Sequence, residues 1–176
     1  MTATQDTLYS SYREILLEHL FVSAIMKHLW LREITQFEVL KPQVDDSGYD
    51  MVLEANGVVR HVQLKSSAAD SSTAQVPVSV KLARKPSVCV IWMHFDKSTM
   101  EIGPFLWFGS GPSQPLPSIG SLPVARQARA NAQGFKAPRE GHRVLRRSAF
   151  KRIQSVSELV ERLFATFPAN GQAEGP

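Results

Sequence analysis

Cys89 is the only cysteine in the 176-residue chain. It cannot close an internal disulfide, and without Cys partners it does not make a structural zinc site. Set in the apolar run Ser87–Phe95, it is expected to be a buried strand residue in a reducing cytoplasm. No apolar stretch approaches the ~20 residues that span a bilayer, so no membrane segment is expected. The opening MTATQDTLYSSYREIL has no basic region followed by an apolar one, which argues against a signal peptide. An internal repeat, a Walker loop, a dinucleotide fingerprint and a Gly-x-Ser-x-Gly elbow are also missing, which removes the chemistry those motifs carry. His19, His28, His94 and His142 show no metal-ligand spacing among themselves.

What is present is an ordinary globular composition, 43% hydrophobic, enough for one domain with a tail. The net charge of +4 hides an asymmetry. Residues 1–80 hold six Lys/Arg against ten Asp/Glu, a balance of −4, whereas residues 81–152 hold thirteen against three, a balance of +10. Such a division suits a protein that holds a polyanion with one region and acts on it with another. Basic segments also solubilise ordinary domains, and that alternative stands beside it.

Along the chain, residues 7–31 are predicted to form an amphipathic helix, with Leu8, Tyr12, Ile15, Leu16, His19, Leu20, Val22, Ser23, Met26 and Leu29 or Trp30 on its apolar stripe. A strand is expected over about 36–44, with Phe37, Val39 and Leu40 inward, then a turn cluster at Asp45-Asp46-Ser47-Gly48. Ser66–Gln75 reads as a mobile loop, Ser87–Phe95 and Glu101–Phe108 as strands. The Gly/Pro/Ser-rich 109–123 reads as a linker or long loop. Val124–Gln133 is expected to be a short helix within a basic region, 124–167. Its last helix begins at Ser155, where Ser155 and Glu158 form a capping box. From Pro168 the chain is expected to be a disordered tail.

The most informative stretch is Gly48–Ser67. Asn56-Gly57 predicts a type I′ hairpin turn, because both residues tolerate positive φ. The register then sets Ala55 opposite Val58, Glu54 opposite Val59 and Asp50 opposite Gln63, with Cβ atoms of such pairs ~5 Å apart. Lys65 lies two residues beyond Gln63, on the same face. Tyr49, Met51, Leu53, Val62 and Leu64 would take the core face. A polar Asp/Gln/Lys cluster ending an apolar sheet is costly unless it has a role.

Asp50 followed by Gln63-Leu64-Lys65 at the end of the next strand resembles the PD-(D/E)XK nuclease superfamily, over roughly residues 12–95. It is most similar to small bacterial members that carry GxD…QxKS. Gly48-Tyr49 stand where the proline of the family name would be, and Gln63 stands in place of the more usual acid. The resemblance implies an α/β, restriction-endonuclease-like core over 1–108 with a mixed central sheet in α-β-β-β-α-β order, extended by a basic C-terminal helical region. It favours a helix over Val76–Lys85, although Val76, Val78, Val80 and Leu82 alternate as a strand would. It further implies a Mg²⁺- or Mn²⁺-dependent nuclease that hydrolyses nucleic acid, DNA above all, through metal-activated water. Asp50, Gln63 and the Leu64 carbonyl would hold the metal, Glu18 would serve as auxiliary ligand, and Lys65 would sit at the water and phosphate.

Each residue has a plainer alternative. Asp50 and Lys65 could be a surface ion pair worth under ~1 kcal/mol. Gln63 could be a half-exposed strand residue, and Glu18 a solvated helix residue, with Glu14 as its competitor one turn earlier. His61 fits a sheet surface or a DNA-facing position better than a metal ligand. Arg126, Arg129, Arg143, Arg146 and Arg147 are the candidates for contact with nucleic acid. Two other classes stay open: a nucleic-acid-binding module that keeps the fold without turnover, and an accessory protein whose basic half meets another protein. A homodimer is compatible with any of these.

Overall fold

Asn56 and Gly57 both take positive φ, 48° and 77°, and close the tight hairpin that fixes the centre of the molecule. The computed structural model describes residues 8–44 and 46–165. Strand β1 (Phe37–Leu40) pairs antiparallel with β2 (Met51–Ala55), which pairs antiparallel with β3 (Val58–Ala68). The hairpin register is the predicted one, with Ala55 opposite Val58 and Met51 opposite Val62. β3 then pairs in parallel with β5 (Val88–Phe95), and β5 continues antiparallel to β6 (Ile102–Gly109) and on to β9 (Lys151–Ile153). The result is a mixed six-stranded sheet in the order β1-β2-β3-β5-β6-β9.

All eight residues of β5 are buried, so both faces of the sheet are covered. On one face lie helix α1 (Ser10–Trp30), through Leu17, Phe21, Ile25 and Leu29, and helix α2 (Val156–Phe164), through Leu159, Val160, Leu163 and Phe164. They pack on Met51, Leu53, Val62, Ile91, Phe105 and Trp107. The other face carries Val88, Val90, Trp92 and Leu106 beneath a second sheet in the order β4-β8-β7, made of β4 (Gln75–Ser79), β8 (Pro138–Arg146) and β7 (Val124–Arg126). Fully burying one such side chain stabilises the fold by about 1.5–3 kcal/mol. Ser155 caps α2 as expected, its Oγ accepting from the Glu158 amide, but Glu158 Oε2 reaches back to the Gln154 amide and not to that of Ser155.

Several expectations are corrected. Of the predicted apolar stripe of α1, Leu29 is buried and Leu20 and Val22 pack on the core, but Tyr12, Ile15, His19, Ser23, Met26 and Trp30 face outward, and the buried stripe is Leu17–Phe21–Ile25–Leu29. Both faces are apolar, so periodicity alone did not choose between them. β1 is a short edge strand, with Val39 and Leu40 exposed and Phe37 packed on the core. Val76–Lys85 is not an α-helix. It is strand β4 followed by a 3-10 turn at Val80–Arg84. Val76 and Val78 point into the second core, and Pro77, which has no N–H, lies on an edge strand where none is needed.

The basic segment ahead of α2 is strand, not helix. Ala125, Leu145 and Ile153 anchor it in the core, Phe150 packs on the second core, and Pro138 and Gly141 disfavour a helix. Residues 109–123 form a long loop, one of the two expected readings, held on the domain by Leu116 and Ile119, both buried. The expected tail from Pro168 lies outside the described residues.

Candidate functional site

β2 begins only at Met51, whereas antiparallel β3 runs on to Ala68, so the second half of β3 leaves its β2-side edge unpaired. Asp50 and Gly48, just ahead of β2, fill the gap. The Asp50 amide donates to the Val62 carbonyl at 2.9 Å. The Asp50 Oδ2 accepts the Leu64 N–H at 2.6 Å. Gly48, at φ 79°, lies so close to Ser79 that a Cβ there would sit 2.4 Å from the Ser79 Cβ. Only glycine fits that combination of backbone and space.

A cleft of about 280 Å³ opens at this point, lined by Asp50, Leu64, Lys65 and Ser66 from the sheet and by Glu14, Leu17 and Glu18 from α1. Asp50, Lys65, Leu64 and Glu18 therefore meet, as the sequence predicts, and Glu14 joins Glu18. The Glu18 carboxylate is paired with Lys41. Ser66 is an addition. It directly follows Lys65, and position alone could have suggested it.

Gln63 departs from expectation. It is 5% exposed and is not among the cleft-lining residues. Its Nε2 donates to the Gly48 carbonyl at 2.7 Å. That carbonyl can only accept, which fixes the amide orientation and leaves the buried Oε1 as an acceptor without a hydrogen-bond donor. Tyr49 also departs. It packs with the second core and meets the His61 ring edge-on at 4.9 Å, opposite to the face of Met51. Because β2 begins only at Met51, strand alternation does not reach Tyr49. His61 is committed to structure: its Nδ1 lies 2.9 Å from the Pro86 carbonyl, and burial lowers its pKa.

The basic candidates divide. Arg126, Arg129 and Arg146 are exposed. Arg143 is half-buried and donates to the Glu140 and His142 carbonyls at 2.8 and 3.2 Å. Arg147 is also exposed, but it donates to His94 Nε2 and lies 5.4 Å from the Trp92 ring centroid. Sequence reasoning passed over this His94–Arg147–Trp92 group, and nothing in the residue spacing marks it. Cys89 is fully buried, as expected, and burial pushes its thiol up to about 11.

The donors gathered at the cleft are hard oxygens: the carboxylates of Asp50, Glu14 and Glu18. The buried Gln63 Oε1, on the strand beside them, is an acceptor in want of a partner. That set fits an oxygen-seeking cation such as Mg²⁺ or Mn²⁺, which keeps several waters, and does not fit zinc. Among the described residues no group of three or more His, Cys, Asp or Glu forms a ready metal cage. No helix among them is long and apolar enough to cross a membrane.

Residues 20–102 match the family model described as PD-(D/E)XK endonuclease. No curated protein and no solved structure matches the chain. The matched segment runs from α1 through the Asp50 turn and the Gln63-Leu64-Lys65 tripeptide to the start of β6, and leaves Glu14 and Glu18 just outside it. Over this segment, somewhat under half of the 176 residues, the chain is similar to the PD-(D/E)XK endonuclease family.

Proposed function

We propose that the protein is a metal-dependent phosphodiesterase acting on nucleic acid, DNA in the first instance, in the cytoplasm. The observation that carries this is the convergence of Asp50, Leu64 and Lys65 on one cleft walled by Glu14 and Glu18, inside the family segment. Asp50, with Glu18 as auxiliary and the oxygens of Gln63 and Leu64 as neutral donors, would hold Mg²⁺ or Mn²⁺. A bound divalent cation supplies Lewis acidity toward a phosphoryl oxygen and makes water a stronger nucleophile at neutral pH. Lys65 orients the water and stabilises charge developing on the scissile phosphate. The Leu64 N–H holds the Asp50 carboxylate in place, and Gln63 braces the Gly48 turn from which Asp50 projects. Arg126, Arg129 and Arg146 would give exposed positive charge for the phosphate backbone, with exposed Arg147 and half-buried Arg143 tied by hydrogen bonds within the domain.

A second function is favoured by one observation. Gln63 is neutral, buried and bonded to Gly48, which weakens the site as a charge cage and suits a nucleic-acid-binding module without turnover. Incubating the protein with supercoiled plasmid, linear duplex and branched DNA, with Mg²⁺ or Mn²⁺ against EDTA, separates the two. Metal-dependent nicking supports the enzyme. Binding with no cleavage under any metal supports the module.

A further inference from the structure

Surface helices present polar residues to water, and a helix apolar all round is one that is covered all round. α1 is apolar on both faces. Opposite its buried stripe, Tyr12 is 70% exposed, Ile15 54%, Met26 52% and Trp30 71%, and Leu8, in the turn leading in, is 73% exposed. His19 and Ser23 lie exposed between them. The spacing 8, 12, 15, 19, 23, 26, 30 follows the straight 3.6-residue repeat, so these residues form one stripe about 33 Å long. Aromatic side chains carry about 150–250 Å² each. The stripe with its two aromatics thus approaches the ~800 Å² per partner of a standard interface and exceeds the few hundred Å² of apolar patch a monomer usually shows.

The terminal segments outside the described residues, 1–7 and 166–176, contain only Met1 and Phe167 as large apolar residues, too few to cover such a stripe. The stripe is, however, complementary to itself. Turned end for end about His19, it places Leu8 against Trp30, Tyr12 against Met26, Ile15 against Ser23 and His19 against His19. The large aromatics meet aliphatic side chains in this isologous two-fold arrangement.

We infer that the outward face of α1 is a homodimer interface, formed by antiparallel packing of α1 against α1 of a second copy about a two-fold axis at His19. The inference is independent of the nuclease proposal, since the outward stripe does not include the cleft-lining residues of the same helix.

The test is light scattering coupled to size exclusion, without nucleic acid. The expected mass is about twice 19.6 kDa. The double variant Tyr12→Glu, Met26→Glu is expected to lower self-association by roughly 100-fold or more, with far-UV circular dichroism unchanged because both side chains face water in the monomer. Cross-linking reports the geometry even if that variant fails to fold. Cys89 is fully buried and silent, so His19→Cys should form a disulfide-linked dimer on oxidation. Lys27→Cys should not, because antiparallel packing sets the two copies of that position about 24 Å apart along the helix. A wild-type monomer at the highest soluble concentration would overturn the inference and leave the face to another partner, a lipid surface included. So would a folded glutamate variant that remains dimeric, or equal cross-linking at positions 19 and 27.

Discussion

The Asp50 carboxylate accepts the Leu64 N–H at 2.6 Å, taking the place of the β2 backbone just ahead of where β2 begins. A side chain thus satisfies the β3 edge, and the same bond fixes the carboxylate beside Lys65 at the cleft. Removing it has two consequences. Asp50→Ala leaves a half-buried N–H without its acceptor, at a cost of about 1–3 kcal/mol, and removes the central acid of the proposed metal site. Thermal unfolding should drop by several degrees. Calorimetric titration of Mn²⁺ should lose its binding signal together with plasmid cleavage, whereas Lys65→Ala should keep most of the metal binding and lose cleavage. Equal Mn²⁺ affinity in wild type and Asp50→Ala ends the metal-site proposal.

How far the sequence carried can be seen at particular residues. Asn56-Gly57 permits little besides a tight hairpin, so the β2–β3 register, and with it the meeting of Asp50 and Lys65, was legible. Alternation stops being informative where regular strand stops, which is why Tyr49 lies elsewhere than predicted, whereas Gln63 sits within regular β3 and its amide is taken up by the Gly48 carbonyl. On α1 two apolar faces compete for one sheet, and a single-helix pattern does not rank them. Val76–Lys85 is the opposite case: the alternation of Val76 and Val78 was the better guide, and the family expectation of a helix gave way to packing against the second core. Nothing local announces the Arg147–His94 contact, which joins residues far apart in the chain.

Gln63→Glu separates charge from geometry. The change removes the donor to the Gly48 carbonyl and buries a carboxylate against that acceptor. Without metal the variant should be less stable by about 1–3 kcal/mol. A divalent cation would be held more tightly by the added charge, so saturating Mn²⁺ should recover the lost melting temperature. Differential scanning fluorimetry with and without Mn²⁺ reads both effects. A deficit that Mn²⁺ leaves untouched would place the Gln63 side chain outside the metal site.

Acid should destabilise the fold in a defined window. Burial lowers the His94 pKa below its ordinary 6.5; the bond to the Pro104 carbonyl opposes this, and Arg147 and Arg152 add to it. Burial also lowers His61 and His28. A group whose folded pKa is depressed contributes stability that is present above its unfolded pKa and is lost as pH falls through the folded value. The melting temperature should therefore hold above about pH 7 and decline below about 6.5. Asp96, held down to about 2 by bonds from Ser98 and Thr99, loses its contribution only in much stronger acid. His94→Gln keeps an acceptor for Arg147 but does not titrate, so its decline should be shallower. An unchanged slope would remove His94 from the effect.

The exposed and the tied arginines should behave differently toward nucleic acid. Each phosphate contact contributes about 0.9 to the slope of log affinity against log salt for duplex DNA. Arg126, Arg129 and Arg146 are exposed, so replacing all three with alanine should weaken binding to every sequence alike and flatten the slope by up to about 2.7, without moving the melting temperature. Arg147 is held by His94 and lies over Trp92. Arg147→Ala should lower stability, by about 0.5–2 kcal/mol for the lost cation–π contact alone, while changing the salt slope by less than one exposed arginine does. Fluorescence anisotropy with a labelled duplex across a salt series, paired with thermal melts of both variants, makes the comparison. A triple variant with the wild-type slope would move the nucleic-acid surface away from the second sheet. An Arg147→Ala variant with full stability and a flattened slope would make Arg147 a direct phosphate contact.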